Sequence, residues 1–387
     1  MTRSVPFHRP SIGEEEIRAV VETLCSGWIT TGPRVKELEE RFAAYVGARH
    51  AIAVNSGTAA VHLGLLAAGL GPGDAILTSP ITFPATTEAA IYCGATPLFA
   101  DVEERTLNLD PDRVAEVLER DAERRRIRVL VPVHYAGQPC AMERLMPLAR
   151  RYEVAVVEDA AHALPAKRRM NGEWRTVGTI GDLTAFSFYA TKTMTTAEGG
   201  MITCESDERA ELLRSLRLHG LSGDAWKRYK TEGSWRYDVA RTGYKDNMPD
   251  VLAAIGVVQL ARVEELAAAR GRLVALYREA LAPVADRLIL PFVEEETRHA
   301  WHLFAIRLRE PSRRNAVIDG MRARGIGASV HFPPVHLHSF YMETYGHRPG
   351  DFPVAEAAFA GLVSLPLWPG MSADDVDYVA TALRELA

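Results

Sequence analysis

The sequence predicts an α/β protein of the doubly wound class, with a large domain on a mostly parallel sheet and a smaller α+β domain after it. From about residue 50, short apolar runs rich in β-branched residues alternate with longer amphipathic segments, as in parallel strands covered by helices on both faces. After about residue 250 this alternation stops, and a long helical pattern leads into a shorter region. We therefore predict a large domain, residues 1–250, and a small domain, residues 251–387.

The predicted strands and helices follow in order along the chain. Strand patterns of the large domain are HAIAVN (50–55), AILTS (75–79), ATPLFAD (95–101), RVLVPV (128–133), VAVVED (154–159) and LTAFSF (183–188), with helical patterns between them. The small-domain patterns are a helix (251–281), a strand AWHLFAIRL (300–308), a helix (316–324), a strand ASVHF (328–332) and a closing helix (374–386). In doubly wound sheets ligands bind at the carboxyl ends of the strands. Side chains that follow these strands are therefore the candidate site residues.

Composition excludes several classes of function. A formal charge of −5 and an isoelectric point near 6.2 argue against nucleic acid or an anionic membrane as the main partner. The amino terminus turns polar at once, so we expect no signal peptide, and no apolar stretch approaches the length of a membrane span. The four cysteines, Cys25, Cys93, Cys140 and Cys204, are far apart and form no CxxC pair. We expect a reduced, cytoplasmic protein.

The motif NSGTAA, residues 55–60, follows the first strand and opens a helix. Free backbone N–H groups at such a helix start favour an anion, most often a phosphate. An ordinary Ser/Thr helix cap explains the same residues, and on this motif alone it is the more common explanation.

The strand VAVVED ends in the acidic pair Glu158 and Asp159, and His162 follows three residues after Asp159. Three explanations are open from the residues alone: a cap for the next helix, a carboxylate that pairs with a cofactor nitrogen, or a pair of metal ligands.

Lys192 lies in SFYATKTMTTAEGG, residues 187–200, among small and hydroxyl side chains directly after the strand LTAFSF. An ordinary solvated lysine is the alternative, but the position at a strand end weakens it. A phosphate cradle, a carboxylate and an amine together match the needs of pyridoxal 5′-phosphate (PLP), whose aldehyde bonds a lysine and whose pyridine nitrogen needs an acid. Burial lowers the pKa of such a lysine and favours its action as a nucleophile.

Blocks along the whole chain resemble the DegT/StrS-type sugar aminotransferases of PLP fold type I. They include SGWITTGP, NSGTAA, GPGDAILTSPITFPAT, GATPLFADV, VPVHYAGQP, VVEDAAHA, GDLTAFSFYATKTMTTAEGGMI, LRLHG, HFPPVHLHSFY and SLPLWPGMSADDVDYV. Within the family the sequence is most similar to enzymes that aminate C4 of a UDP-4-ketosugar, such as the one that forms UDP-4-amino-4-deoxy-L-arabinose. The resemblance implies a ping-pong reaction with L-glutamate as amino donor, pyridoxamine 5′-phosphate as the intermediate cofactor form, and a homodimer with shared active sites.

The resemblance also implies roles for individual residues. Lys192 matches the lysine that bonds the cofactor, Asp159 matches the acid at the pyridine nitrogen, and His162 stands where many members have Gln, beside the ring. Phosphate-binding positions match Gly57, Thr58 and Ser187, and the ring-stacking aromatic matches Phe83. Many members read G-Y-N-Y-R where this chain has Gly243-Tyr244-Lys245-Asp246-Asn247, so either Lys245 or Asn247 is expected to contact the neighbouring subunit's phosphate.

Candidate substrate-binding residues are Trp28 and Thr30 in the loop SGWITTGP, together with Tyr135 and His331. A structural or packing role explains each of them as well. HFPPVHLH has metal-like histidines, but no acid or Cys cluster matches it, so we expect no metal. We expect the charged, aromatic stretch 222–242 to cover the nucleotide or the neighbouring subunit's site.

Rival functions fit parts of the pattern. A dTDP-ketosugar substrate and amination at C3 stay open, because the sequence does not specify nucleotide, sugar or carbon. PLP- or pyridoxamine-dependent sugar dehydratases of the same fold have histidine in place of the lysine, so Lys192 speaks against them. A non-catalytic regulator would tolerate loss of Lys192 or Asp159. A nicotinamide oxidoreductase is disfavoured because no GxGxxG motif follows a strand.

Overall fold

A computed structural model of the chain describes residues 3–124, 126–221 and 237–387. Residues 222–236 of the stretch expected to cover the nucleotide lie outside this description. The strands are β1 His50–Val54, β2 Ala75–Thr78, β3 Thr96–Phe99, β4 Ile127–Val131, β5 Ala155–Asp159, β6 Lys167–Met170, β7 Glu173–Thr176, β8 Leu183–Ser187, β9 Gly200–Cys204, β10 Leu288–Ile289, β11 Thr297–Arg298, β12 Phe304–Leu308 and β13 Leu362–Leu365. The α-helices are α1 Glu14–Cys25, α2 Pro33–Val46, α3 Gly57–Ala67, α4 Ala85–Tyr92, α5 Pro111–Asp121, α6 Met142–Arg151, α7 Asp207–Leu216, α8 Asp250–Ala261, α9 Val263–Leu281, α10 Arg314–Ala323, α11 Ser339–Tyr345, α12 Pro353–Gly361 and α13 Ala373–Leu386.

A seven-stranded sheet in the order β1-β9-β8-β5-β4-β2-β3 forms the centre of the large domain. Its pairings from β8 through β5, β4 and β2 to β3 are parallel, whereas β9 is antiparallel to both of its neighbours. The predicted α/β class with a mostly parallel sheet is therefore confirmed. Because β1, β5 and β8 run in the same direction, their carboxyl ends meet at one edge, which brings the NSGTAA motif, Asp159 and Ser187 together.

Helix α3 explains why this edge is rigid. It starts directly after β1 and is apolar nearly all round, because it packs between the sheet and the helices α4 and α7. The Ser56 side chain caps it by accepting a hydrogen bond from the backbone N of Ala59 at 3.0 Å. A buried, capped helix holds its first turn in a fixed position beside the strand ends.

A second core lies in the carboxyl-terminal part, where the antiparallel sheet β10-β12-β13 packs with α9, α10 and α13. The helix predicted for residues 251–281 is broken at Arg262 (φ −107°, ψ 4°), whose guanidinium pairs with Glu16 of α1 at 3.1 Å. Helix α8 consequently packs on α1 and α2, whereas α9 packs on α13. The division between residues 250 and 251 stays a prediction.

One predicted small-domain strand differs in the structure. Residues 328–332 form only an isolated bridge, from Ser329 to Ser364, and the place beside β12 is taken by β13. Over the described ranges, no helix is long and apolar enough to cross a membrane.

Candidate active site

The ends of β1, β8 and β9 form a cradle in which a side chain would not fit. A Cβ on Gly57 would lie 2.7 Å from Ser187 Cβ, and a Cβ on Gly200 would lie 2.4 Å from the carbonyl oxygen of Ser56. Gly57 and Thr58 are the first two residues of α3, so their backbone N–H groups have no partner within the helix. These donors, beside the Ser187 hydroxyl, suit a phosphate.

Asp159 ends β5 and is 6% exposed. Its Oδ2 accepts a hydrogen bond from the Thr86 hydroxyl at 2.6 Å, and its Oδ1 accepts one from the backbone N of Ala161 at 3.1 Å. Thr86 belongs to α4 and lies 2.7 Å from the Thr82 hydroxyl. The carboxylate is thus held in one orientation, with lone pairs left for a further donor.

Glu158, the other acid of the pair, has a separate role. It is completely buried, and its carboxylate is engaged by His134 Nε2 at 2.9 Å, the backbone N of Gly181 at 2.7 Å and the Thr184 hydroxyl at 2.8 Å. Glu158 therefore stabilises the strand junction. Within the described residues, no group of three or more His, Cys, Asp and Glu side chains is arranged to hold a metal ion.

Lys192 lies in a turn in which its backbone N donates to the carbonyl oxygen of Tyr189 at 2.9 Å. The side chain is half-buried. Burial lowers the pKa of its amine to about 8; Asp159 acts in the opposite direction and Arg270 in the same one. An amine with a pKa of about 8 is roughly one-tenth uncharged at pH 7, more than a hundredfold above an ordinary lysine, and the uncharged form is the nucleophile.

A row of aromatic rings borders the lysine. His162 stacks on Phe332 (centroids 5.8 Å apart) and contacts the His302 ring at 4.2 Å, while Phe332 contacts Phe83 at 6.0 Å. His162 is 8% exposed, and its Nδ1 has no hydrogen-bond partner. Burial, the Lys192 charge and His331 hold the pKa of His162 well below its usual range. A neutral imidazole with an unused nitrogen suits an oxygen on a ring bound beside it. Phe83 is 60% exposed and free to stack.

His331, in the carboxyl-terminal part of the chain, is in electrostatic contact with Lys192. Its Nδ1 lies 3.0 Å from the Ser364 hydroxyl, its ring stacks on Phe7, and the Tyr135 hydroxyl donates to its carbonyl oxygen at 2.6 Å. Burial, with the Lys192 charge, lowers the pKa of His331 to about 4. Tyr135, a predicted substrate contact, is thus buried with its hydroxyl engaged by His331.

The remaining predicted residues form a second group next to the cradle. Lys245 donates to Asn247 Oδ1, and Asn247 Nδ2 donates to the Thr31 hydroxyl at 2.6 Å. Asn55 Nδ2 donates to the carbonyl oxygen of Lys245 at 3.2 Å, which connects this group to the start of α3. Trp28 Nε1 donates to the carbonyl oxygen of Thr31 at 3.1 Å.

Thr30, also in this group, is exposed and accepts from the backbone N of Asp250. In the described part of the chain, no hydrogen bond joins Thr30 to Lys192, Asp159 or His162.

Residues 10–384 match the family described as the DegT/DnrJ/EryC1/StrS aminotransferase family. The chain belongs to this aminotransferase family. Fold type I, expected from the resemblance, is thereby confirmed.

Individual members agree with this assignment. The spore coat polysaccharide biosynthesis protein SpsC of Bacillus subtilis is 45% identical over 386 residues, covering 99% of this chain and 97% of SpsC. Spr1654 of Streptococcus pneumoniae, assigned provisionally as a sugar aminotransferase, superposes in its pyridoxamine phosphate form with a TM-score of 0.91, 32% identity and 99% coverage of both chains. It was also solved in a PLP form, with a TM-score of 0.90, 31% identity and full coverage of both chains. The aminotransferase TlmJ of Streptoalloteichus hindustanus gives 0.88 at 32% identity, with 98% coverage of both.

The site of this family member also contains residues that the sequence analysis missed. Thr86 orients Asp159, His302 packs on His162, and Arg270 lies within electrostatic range of Lys192. His8 Nε2 lies 2.8 Å from the carbonyl oxygen of Ala190, two residues before the lysine. Thr86 stands in the quoted block PITFPAT and a strand-end search could have found it. The other three come from distant segments and carry no local signal.

Proposed function

We propose that this protein is a PLP-dependent aminotransferase that moves an amino group from L-glutamate to a nucleotide-linked ketosugar by a ping-pong mechanism. The observation that carries the proposal is the position of Lys192, half-buried with a lowered pKa, in electrostatic contact with Asp159 at the strand ends that hold the Gly57–Ser187 cradle. SpsC, a polysaccharide biosynthesis protein, and Spr1654 support a sugar as acceptor.

The residues present fit PLP. Because Gly57 lacks a side chain, the start of α3 lies directly against Ser187, which places the free N–H groups of α3 beside the Ser187 hydroxyl as donors for a phosphate, and the unpartnered Nδ1 of His162 offers a contact to a ring oxygen. Asp159 keeps lone pairs for a protonated ring nitrogen while Thr86 holds its orientation. When bound, PLP supplies the electron sink that makes an α-proton of the amino donor acidic.

Lys192 Nζ then has two tasks. As a neutral amine it holds the cofactor. Once released from the cofactor, the amine accepts the α-proton of glutamate and returns a proton to the neighbouring carbon of the bound cofactor. Neutral His162 and His331 add no positive charge beside this amine, since burial keeps their pKa values low. In the second half-reaction Lys192 moves the proton in the opposite direction, and the amino group passes to the ketosugar.

We propose C4 of a UDP-4-ketosugar as the acceptor position, as in enzymes that form UDP-4-amino-4-deoxy-L-arabinose; a dTDP-ketosugar aminated at C3 or C4 is the alternative. Substrate contacts are proposed for Trp28, Thr30, Tyr135 and His331. We further propose a homodimer in which Lys245 and Asn247 complete the partner's phosphate site. We propose a cytoplasmic setting, which fits four free cysteines of which three are buried.

An absorbance experiment tests the proposal. Purified protein is expected to show a visible cofactor band that L-glutamate converts to a near-ultraviolet band, and Lys192→Ala is expected to lose this conversion. The pyridoxamine form is then offered UDP- and dTDP-linked 3- and 4-ketosugars, and return of the visible band identifies the acceptor. A protein that binds no PLP would refute the proposal, and one that binds PLP but ignores glutamate would refute the donor.

A further inference from the structure

Arg270 is a buried cation without a neighbouring anion. It lies in the middle of α9 and is 1% exposed. Among the residues that the structure describes, no carboxylate pairs with it, and burial alone lowers the pKa of its guanidinium to about 10. It therefore remains charged at neutral pH. An unpaired buried charge is costly to desolvate. The groups around Arg270 therefore indicate what the charge acts on.

The guanidinium lies between the lysine turn and the segments that precede β12 and follow β13. Nη1 donates to the carbonyl oxygens of Leu367 at 2.8 Å and His302 at 3.2 Å. Nη2 donates to the carbonyl oxygen of Thr191, the residue directly before Lys192, at 3.5 Å. Nε has no partner. Carbonyl oxygens accept from Nη1 and Nη2 but do not neutralise the charge, so Arg270 presents a full positive charge to the lysine turn.

This charge acts on several groups. It adds to burial in lowering the pKa of Lys192, of His8 and of His302. The titratable and charged groups in electrostatic contact with Lys192 come from five segments. Asp159 and His162 lie at the end of β5 and in the turn after it, and Arg270 lies on α9. His302 precedes β12, His331 lies in the segment before α11, and His8 is near the amino terminus. Of these, Asp159 favours the charged lysine, and Arg270 is the permanent charge that opposes it.

We propose that Arg270 is a positioning residue for Lys192: its guanidinium joins the carbonyl oxygen of Thr191 in the lysine turn to the carbonyl oxygens of His302 and Leu367, and so holds both the turn and an unpaired positive charge beside the lysine amine. The proposal rests on the proposed role of Lys192 as the reacting amine. Its test, however, does not use aminotransfer.

The test measures the reactivity of Lys192 in the full-length protein after removal of the cofactor with hydroxylamine and dialysis. The protein is briefly methylated by reductive methylation at a series of pH values, and peptide mass spectrometry measures the fraction of Lys192 that is methylated at each pH. The pH at which the methylation rate is half-maximal is the midpoint. Arg270→Met is expected to raise this midpoint from about 8 by about 1 pH unit, because a nearby like charge is removed. Arg270→Lys keeps the charge but loses the planar fork. It is expected to keep the midpoint and to speed backbone amide exchange at residues 191–194 about tenfold.

Arg278→Met is the matched control. Arg278 lies on the same helix and donates to a backbone carbonyl oxygen, that of Pro291, but is not among the groups that shift Lys192. It is expected to change neither readout.

An unchanged midpoint in folded Arg270→Met, judged by near-ultraviolet circular dichroism, would overturn the proposal. Should Arg270→Met not fold, Arg270→Lys decides: a raised midpoint or unchanged amide exchange overturns the proposal. A failure of the proposed function would be seen separately, as absent PLP binding or no response to glutamate in the wild type.

Discussion

Thr86 donates its hydroxyl hydrogen to Asp159 across 2.6 Å. Since that hydrogen is used, the Thr82 hydroxyl, 2.7 Å away, donates in turn to Thr86. The two threonines form a short relay that fixes the carboxylate at the end of β5. Asp159 therefore acts with one orientation, which a lone strand-end acid would not have.

Removal of this relay tests its importance. Thr86→Val keeps the shape but loses the hydroxyl, and a hydrogen bond to a charged group contributes roughly 1.5–3 kcal/mol. We expect a glutamate half-reaction at least about tenfold slower in a stopped-flow absorbance measurement, and recovery in Thr86→Ser. Thr87→Val is the control, because that hydroxyl contacts Tyr341 and the carbonyl oxygen of Pro84 instead. Equal rates in Thr86→Val and wild type would contradict the relay.

The cradle predicts a steric effect at Gly57. Gly57→Ala places a Cβ 2.7 Å from Ser187 Cβ and 3.3 Å from its Cα, and Ser187 is held in β8. We expect at least about tenfold weaker PLP binding, measured by equilibrium dialysis, because the phosphate donors are displaced. Gly271→Ala serves as the control: its Cβ would meet nothing within 4 Å, and alanine in a helix is expected to add about 0.5–1 kcal/mol of stability. Normal PLP affinity in Gly57→Ala would exclude the cradle as the phosphate site.

The lowered pKa of Lys192 predicts the pH dependence of cofactor loading. Only the uncharged amine attacks, and burial lowers its pKa to about 8. The uncharged fraction therefore rises steeply with pH up to about 8, where it is one half, and only about doubles above it. Loading of cofactor-free protein, followed by growth of the visible band, should slow about tenfold per pH unit below 8. Free ε-aminocaproic acid, with an ordinary amine, should show its midpoint at roughly 10 instead. A midpoint near 10 in the protein would refute the shift.

The Tyr135 hydroxyl can act on the substrate in two ways: by direct contact, or indirectly by holding His331 through its hydrogen bond. Removal of the hydroxyl distinguishes the two. Tyr135→Phe leaves the carbonyl oxygen of His331 without its 2.6 Å donor, which should cost about 1 kcal/mol of unfolding free energy. If the hydroxyl acts by holding His331, urea midpoint and KM for the ketosugar should change together. A raised KM with unchanged urea unfolding would mean that the hydroxyl binds substrate directly.

Local sequence patterns predicted the strand ends and placed NSGTAA, the Glu158–Asp159 pair and Lys192 beside them, because strand runs and helix starts are encoded by neighbouring residues. The choice of Asp159 over Glu158 and the role of Ser187 came from the family resemblance. Long-range partners were missed: Arg270, His302 and His8 reach the lysine only through packing of the small domain and amino terminus onto the large sheet. The strand β13 was missed because its four residues, most of them apolar, follow directly after α12. A short apolar run next to a helix shows neither the strand period nor the helix period clearly enough to be assigned.

The shared-site proposal leads to a complementation experiment. Lys245 and Asn247 are linked to each other and to Thr31, so loss of the Asn247 amide should disturb the whole group. If this group serves the partner's phosphate site, Lys192→Ala and Asn247→Ala are each defective for different reasons. In a mixed dimer, one site takes Lys192 from the Asn247→Ala chain and Asn247 from the Lys192→Ala chain, so both residues are wild type. The other site carries both substitutions. After unfolding and refolding a 1:1 mixture, statistical pairing leaves about a quarter of all sites intact, so activity should recover to about a quarter of wild type. If Asn247 instead serves the site of its own chain, both mixed-dimer sites keep one defect, and the mixture would show only the mean of the two separate residual activities.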